Sequence, residues 1–118
     1  MRLLLSSLIS VAALGAACVS LSAPAEAASF DCARARAADE RAICGNRALE
    51  DRDVKMATLY GVNRQLAGGM GALGAIQDRQ REWLGERARC GGGSTCIRMA
   101  YDRRIAELER GVEAARAR

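Results

Sequence analysis

The sequence predicts an all-α domain, a small antiparallel three-helix bundle with a short N-terminal helical appendage, stapled by disulfides at one end. Three observations predict it. Apolar residues recur three or four apart along three long segments, glycine clusters at 68–74 and 91–93 separate those segments, and no stretch alternates apolar and polar residues long enough to make a strand. Amphipathic segments joined by short turns must run antiparallel to bury their stripes, which gives an up-down-up bundle.

The first long helix runs from Arg47 to Ala67. Leu49, Met56, Leu59, Tyr60 and Leu66 fall on one side of it, with the polar Asn63 among them. Asn46 is placed to cap its start, and Glu50, Asp51 and Asp53 sit in the early turns, where the helix dipole favours negative charge. Gly68-Gly69-Met70-Gly71 and Gly74 form the break that follows. The second helix runs from Ala75 to Arg89, with Ile76, Trp83, Leu84 and Ala88 facing inward, and Cys90-Gly91-Gly92-Gly93 stops it. Ser94 or Thr95 caps a third helix whose core stripe is Ile97, Tyr101, Ile105, Leu108 and Val112, and residues 113–118 fray. Ahead of these, residues 37–43 suffice for a two-turn helix between Cys32 and Cys44. Folding at the two glycine breaks brings Asp53 near Arg87, Met56 near Leu84, Trp83 near Arg104 and Leu84 near Tyr101. It also gathers all four downstream cysteines at one end.

The first 27 residues have a different character. Arg2 is followed by an uncharged apolar run from Leu3 to Ala17, then by Ala23-Pro24-Ala25-Glu26-Ala27, the three-part order of a secretory signal with an A-x-A cleavage site after Ala27. The run is shorter than the roughly 20 residues of a spanning helix, so no membrane span is expected. The expected mature domain is residues 28–118, periplasmic or extracellular. Removing Cys18 with the leader leaves an even set, Cys32, Cys44, Cys90 and Cys96, which reads as two disulfides. Pairing of neighbours, Cys32 with Cys44 and Cys90 with Cys96, is the simplest connectivity; a crossed pairing such as Cys44 with Cys90 also fits cysteines gathered at one end. In a competing reading Cys18 is the lipidated first residue of a lipoprotein, but the large apolar residue of its box stands one place too far upstream.

Composition narrows the chemistry. Histidine is absent and the mature cysteines are assigned to bridges, which removes the common nucleophile and general-base arrangements. The carboxylate pairs Asp51 with Asp53 and Glu82 with Glu86 are formal candidates for glycoside hydrolysis, but the first lies on an early exposed turn and the second flanks a polar helix face. Catalysis is not expected. No metal or cofactor is expected either, since the cysteine spacings do not match a zinc site. Net charge is +4, yet acids are interleaved with the arginines throughout, the pattern of a solvated helix surface more than of a nucleic-acid patch. Tyr60, Trp83 and Tyr101 read as core aromatics. Asp53 and Arg87 read as an ion pair setting helix register.

Several of these residues together resemble a known family. Cys32, Glu40, Ile43 and Cys44, then Leu49, Asp53, Leu59 and Tyr60, then Gln80, Trp83-Leu84, Arg87 and Cys90, and finally Cys96, Tyr101, Arg104 and Leu108 are similar to the pattern of the LprI-type lysozyme-inhibitor domain. The most specific stretch is Gln80 to Cys90 followed by Cys96, because helix periodicity does not demand Gln and Arg at those offsets from Trp-Leu. Arg52 departs from the pattern, standing where an apolar residue is usual. The resemblance implies a helical, disulfide-containing envelope domain and, for the family's namesake, inhibition of lysozyme. The expected function is therefore binding, with a lysozyme or other cell-wall hydrolase as the first candidate partner. A structural adaptor for another envelope protein and a binder of anionic envelope polymer or lipid are the alternatives. The natural contact residues are Met70 and Leu73 beside one glycine-rich turn and Arg89 and Arg98 beside the other.

Overall fold

The structure, a computed structural model, describes residues 28–118. The leader, its cleavage motif and Cys18 lie outside the described residues. The described chain forms a 3₁₀ turn, Cys32–Arg34, and four helices: α1 Ala38–Cys44, α2 Arg47–Gln65, α3 Met70–Ala88 and α4 Ser94–Arg116. Helices α2, α3 and α4 make the up-down-up bundle, with α2 and α4 parallel and sharing the most extensive interface. Helix α1 packs across the end where α2 begins, α3 finishes and α4 starts. Both neighbouring cysteine pairs are bridged, Cys32 to Cys44 and Cys90 to Cys96, so both staples lie at that end. In the chain-entropy account such short loops contribute about 2–3 kcal/mol each by restricting the unfolded chain.

Local chemistry explains the element ends. The Asn46 side chain accepts the amides of Ala48 and Leu49 and starts α2. Glu40 reaches back to accept the amides of Arg36 and Ala37 just ahead of α1, the half of a capping box that needs no side chain from Ala37. The core runs along the bundle through Ile43, Leu49, Met56, Trp83, Ile97, Tyr101, Ile105 and Leu108. Asn63 donates to the Leu108 carbonyl and ties α2 to α4, and Gly111 leaves room for it, since a Cβ there would force the Asn63 amide to shift.

Several expectations are corrected. Helix α3 begins at Met70 and not at Ala75, so Gly71 and Gly74 are helical. The turn needs only one left-handed residue, Gly69 at φ 146°, whose carbonyl already accepts the Leu73 amide. Leu84 is 39% exposed and Ala88 is also exposed; the inward face of α3 is Gln80, Trp83 and Arg87. Leu66, assigned to the first stripe, is exposed where α2 runs out beyond the core. Helix α4 is capped by Gly93, with no side-chain cap from Ser94 or Thr95. It continues through Arg116, so most of 113–118 is helical. Arg52 fills its layer with a cross-helix bond, donating from Nε to Asp102 Oδ1 at 2.8 Å.

The start of α3 can be tested directly. Gly71 and Gly74 have nothing within 4 Å of an added Cβ, so Gly71→Ala and Gly74→Ala should each stabilise the domain by about 0.5–1 kcal/mol in urea unfolding. A loss of stability at either position would return these glycines to the turn.

Candidate functional site

The most constrained feature of the domain is a polar core at its stapled end. On α3, Gln80, Trp83 and Arg87 follow the i, i+3, i+7 spacing of one helical face, and Tyr101 and Arg104 occupy the matching face of α4. Asp53 lies one turn after Leu49 on α2, and Asp39 comes from α1. Bundle geometry thus drives two acids and two arginines inside: Asp39 is 2%, Asp53 0%, Arg87 6% and Arg104 2% exposed.

Arg87 is the hub. Its Nε donates to Asp39 Oδ2 at 2.8 Å and its Nη1 to the Tyr101 hydroxyl at 3.1 Å. The Tyr101 hydroxyl in turn donates to Asp53 Oδ1 at 2.8 Å. The ion pair read from the sequence is present as the longer contact, Arg87 Nη1 to Asp53 Oδ1 at 3.9 Å, and the nearer carboxylate is that of Asp39. Three rings surround the guanidinium, with centroids of Trp83 at 5.6 Å, Phe30 at 5.8 Å and Tyr101 at 6.0 Å from its carbon. Trp83 and Tyr101 also pack on each other at 5.2 Å, which replaces the expected contact of Leu84 with Tyr101.

One layer further along the bundle, Arg104 donates twice to Gln80 Oε1, at 3.1 and 3.0 Å, while the Gln80 amide donates to the Met56 sulfur. Trp83 donates its indole N–H to the Ala100 carbonyl. No side-chain nitrogen or oxygen that is fully buried among the described residues lacks a hydrogen-bond partner. At the edge, Arg79 bridges Glu86 and Glu107, and Arg104 also reaches Glu107 at 3.1 Å.

These surroundings shift the titrations. Burial pushes the Tyr101 phenol well above its ordinary value, and the Asp53 carboxylate adds to the shift against the opposing charge of Arg87. Burial by itself would raise the Glu107 carboxyl, but its contacts with Arg79 and Arg104 outweigh that and hold it below the ordinary carboxylate value. The arrangement orients helices and holds charge; its tyrosine is poorly placed to give up a proton near neutrality.

The carboxylates once considered for hydrolysis separate in space and role. Asp53 is buried and not on an exposed turn, because it shares the inward face of α2 with Leu49 and Met56. Asp51 is exposed and pairs with Arg47, Glu82 is exposed, and Glu86 is held by Arg79. The candidate contact residues divide between the two ends. Met70, 83% exposed, and the half-buried Leu73 begin α3 at the open end, whereas Arg89 and Arg98 are exposed at the stapled end. Arg98 faces Asp102 at 3.5 Å, and Arg89 has no ion-pair partner among the described residues. A groove of about 490 Å³ between α2 and α3 opens over Asp53, Met56 and Arg87 and is bordered by Ser29 and Tyr60.

Asp39 and Ser29 are not marked as site residues by the sequence, and Gln80 enters only through the family resemblance. The signal for Gln80 was present, since it lies three residues before Trp83 and seven before Arg87 on one stripe. Asp39 and Ser29 carry no such periodic mark; α1 and the segment before it are too short for one.

Two outcomes are expected. Replacing Arg87 by Met leaves two buried carboxylates without their cation and should cost about 3–5 kcal/mol in denaturant unfolding. Tyr101, with its raised folded value, contributes stability that is complete below the ordinary phenol value and is lost as pH climbs past it. In a Tyr60→Phe variant the remaining tyrosine, Tyr101, should therefore show its ultraviolet phenolate band only together with alkaline unfolding. A phenolate signal that precedes unfolding would contradict the buried hydrogen bonds.

Comparison with known proteins returned no matching family model, no matching characterised protein and no matching solved structure.

Proposed function

We propose that this chain is an exported cell-envelope protein that acts by binding and not by catalysis, occluding a lysozyme or related cell-wall hydrolase. The observation that carries the reading is the stapled tip. Gly91, at φ 54°, Gly92 and Gly93 form a short turn that the Cys90–Cys96 bridge closes onto the first turn of α4, and this tip is largely exposed. A loop already closed loses little conformational freedom on entering a cleft. Arg89 stands exposed beside it, and α4 begins there without a side-chain cap, so the tip joins an exposed guanidinium to the positive end of a helix. Catalytic carboxylates in a hydrolase cleft are the complementary chemistry.

Two bridges suit an oxidising compartment. No helix among the described residues is long and apolar enough to cross a membrane. The resemblance to the LprI-type domain supplies the class of target. Net charge of +4 opposes long-range attraction to a basic lysozyme, so affinity has to come from local contacts at the tip. A second reading has its own observation: Met70 and Leu66 expose apolar surface at the opposite end, as an adaptor for another envelope protein would require.

The processed protein, added in molar excess to lysozymes of several types, should slow lysis by at least one of them. Arg89→Glu should weaken that inhibition by roughly tenfold or more, and Met70→Ser should leave it unchanged. Failure to slow any of them would remove the inhibitor reading. Inhibition that survives Arg89→Glu and is lost in Met70→Ser would move the contact to the open end. Binding that instead falls steeply between low and moderate salt would mark an anionic polymer or lipid as the partner.

A further inference from the structure

At the stapled end Asp39, Arg87 and Asp53 form a buried cluster of two carboxylates and one guanidinium. Asp39 and Asp53 are both buried, and among the described residues Arg87 is the single guanidinium between them. The other buried arginine, Arg104, is committed to Gln80 and Glu107, and Lys55 reaches Glu109 on the surface. Formally the cluster is one negative charge out of balance, and an uncompensated buried charge is among the most destabilising features a small domain can carry.

The second oxygen of Asp53 faces the start of the described chain. Asp53 Oδ2 accepts the backbone amide of Ser29 at 2.6 Å, and the residue before it, Ala28, is 4% exposed and belongs to the core cluster. The Ala28 nitrogen is one residue, at most about 3.6 Å of chain, from the nitrogen that already touches this carboxylate. Ala28 is also the residue that follows the Ala25-Glu26-Ala27 cleavage motif. Nothing about a cleavage signal requires the residue after it to be buried against a lone excess carboxylate.

We propose that cleavage after Ala27 completes the core, the new α-ammonium of Ala28 pairing with Asp53 and neutralising the Asp39–Arg87–Asp53 cluster. Hydrolysis of the Ala27–Ala28 amide by a signal peptidase consumes one water. It leaves a carboxylate on Ala27 and, on Ala28, an amine that takes up a proton. Before cleavage the same nitrogen is a neutral amide and the charge stays unbalanced, which favours the less folded chain. After cleavage the ammonium closes the network, so the domain reaches its full stability only once its leader is gone. The inference rests on the exported reading above and adds a role for the N terminus itself.

The sequence makes the test clean, because Lys55 is its only lysine. Lys55 is exposed and pairs with Glu109, so Lys55→Arg keeps that pair and leaves the α-amine as the sole amine to acylate. The full-length Lys55→Arg chain is expressed with its leader, the exported product is purified, and its N terminus is read by mass spectrometry. Half is then acetylated at the α-amine, and both halves are unfolded in urea. The expected product begins at Ala28, and acetylation lowers its folded-to-unfolded ratio by roughly tenfold or more, the equivalent of one pKa unit on the amine. In an Asp53→Asn background acetylation should lower the ratio by less than about twofold, since the charge it removes no longer has its partner. The acetylation rate, which needs no substitution at Asp53, gives an independent reading: it should be at least about tenfold slower in the native protein than in urea.

A product that keeps its leader overturns the exported reading and the inference with it, and one that begins elsewhere overturns the inference. A product that begins at Ala28, but whose acetylation is equally fast in native and unfolded protein and without effect on stability, overturns the inference alone. So does a stability loss of the same size in the Asp53→Asn background, which would trace the effect to the bulk of the acetyl group.

Discussion

The domain is organised around the guanidinium of Arg87. Through Asp39 it fastens α1 to the end of α3, and through the Tyr101 hydroxyl it reaches α4 and then Asp53 on α2. One side chain therefore connects all four helices. A narrow bundle of this size buries too little apolar surface to fix its helices by packing alone, and a satisfied polar hub adds direction that apolar contacts lack. The two bridges act on the same end from outside, and the aromatic rings of Trp83, Tyr101 and Phe30 close over the cation from the sides. The opposite end, where α3 begins with the exposed Met70 and Leu66 closes α2, has no such hub.

What the sequence disclosed follows from periodicity. The α4 stripe from Ile97 to Val112 is regular and apolar, so the helix, its inward face and its contact with α3 could be read from spacing. On α3 the same spacing was present but written in Gln80, Trp83 and Arg87, and a reading that looks for apolar residues moves the inward face one position onward to Leu84. Glycine density at 68–74 suggested a long break, whereas the chain needs positive φ only at Gly69, and Gly71 and Gly74 lie in ordinary helix. The nearest-neighbour pairing of the cysteines was legible because short loops close most easily. The link from Asp39 to Arg87 was not, because a seven-residue helix has too few turns to declare which face is buried.

The two ends of the bundle suit different work. At the stapled end the Cys90–Cys96 bridge closes the turn beside the exposed Arg89, and the polar core directly beneath holds the helices that meet there. At the open end the surface is apolar and shaped by helix termini.

The most direct test of the central claim is a double-mutant cycle between Asp39→Asn and Arg87→Gln, read by urea unfolding at neutral pH. If the guanidinium joins α1 to the bundle as described, the two changes couple by about 2 kcal/mol or more. Additive losses, with a coupling below about 0.5 kcal/mol, would mean that the hub is incidental and that packing and disulfides alone hold the fold.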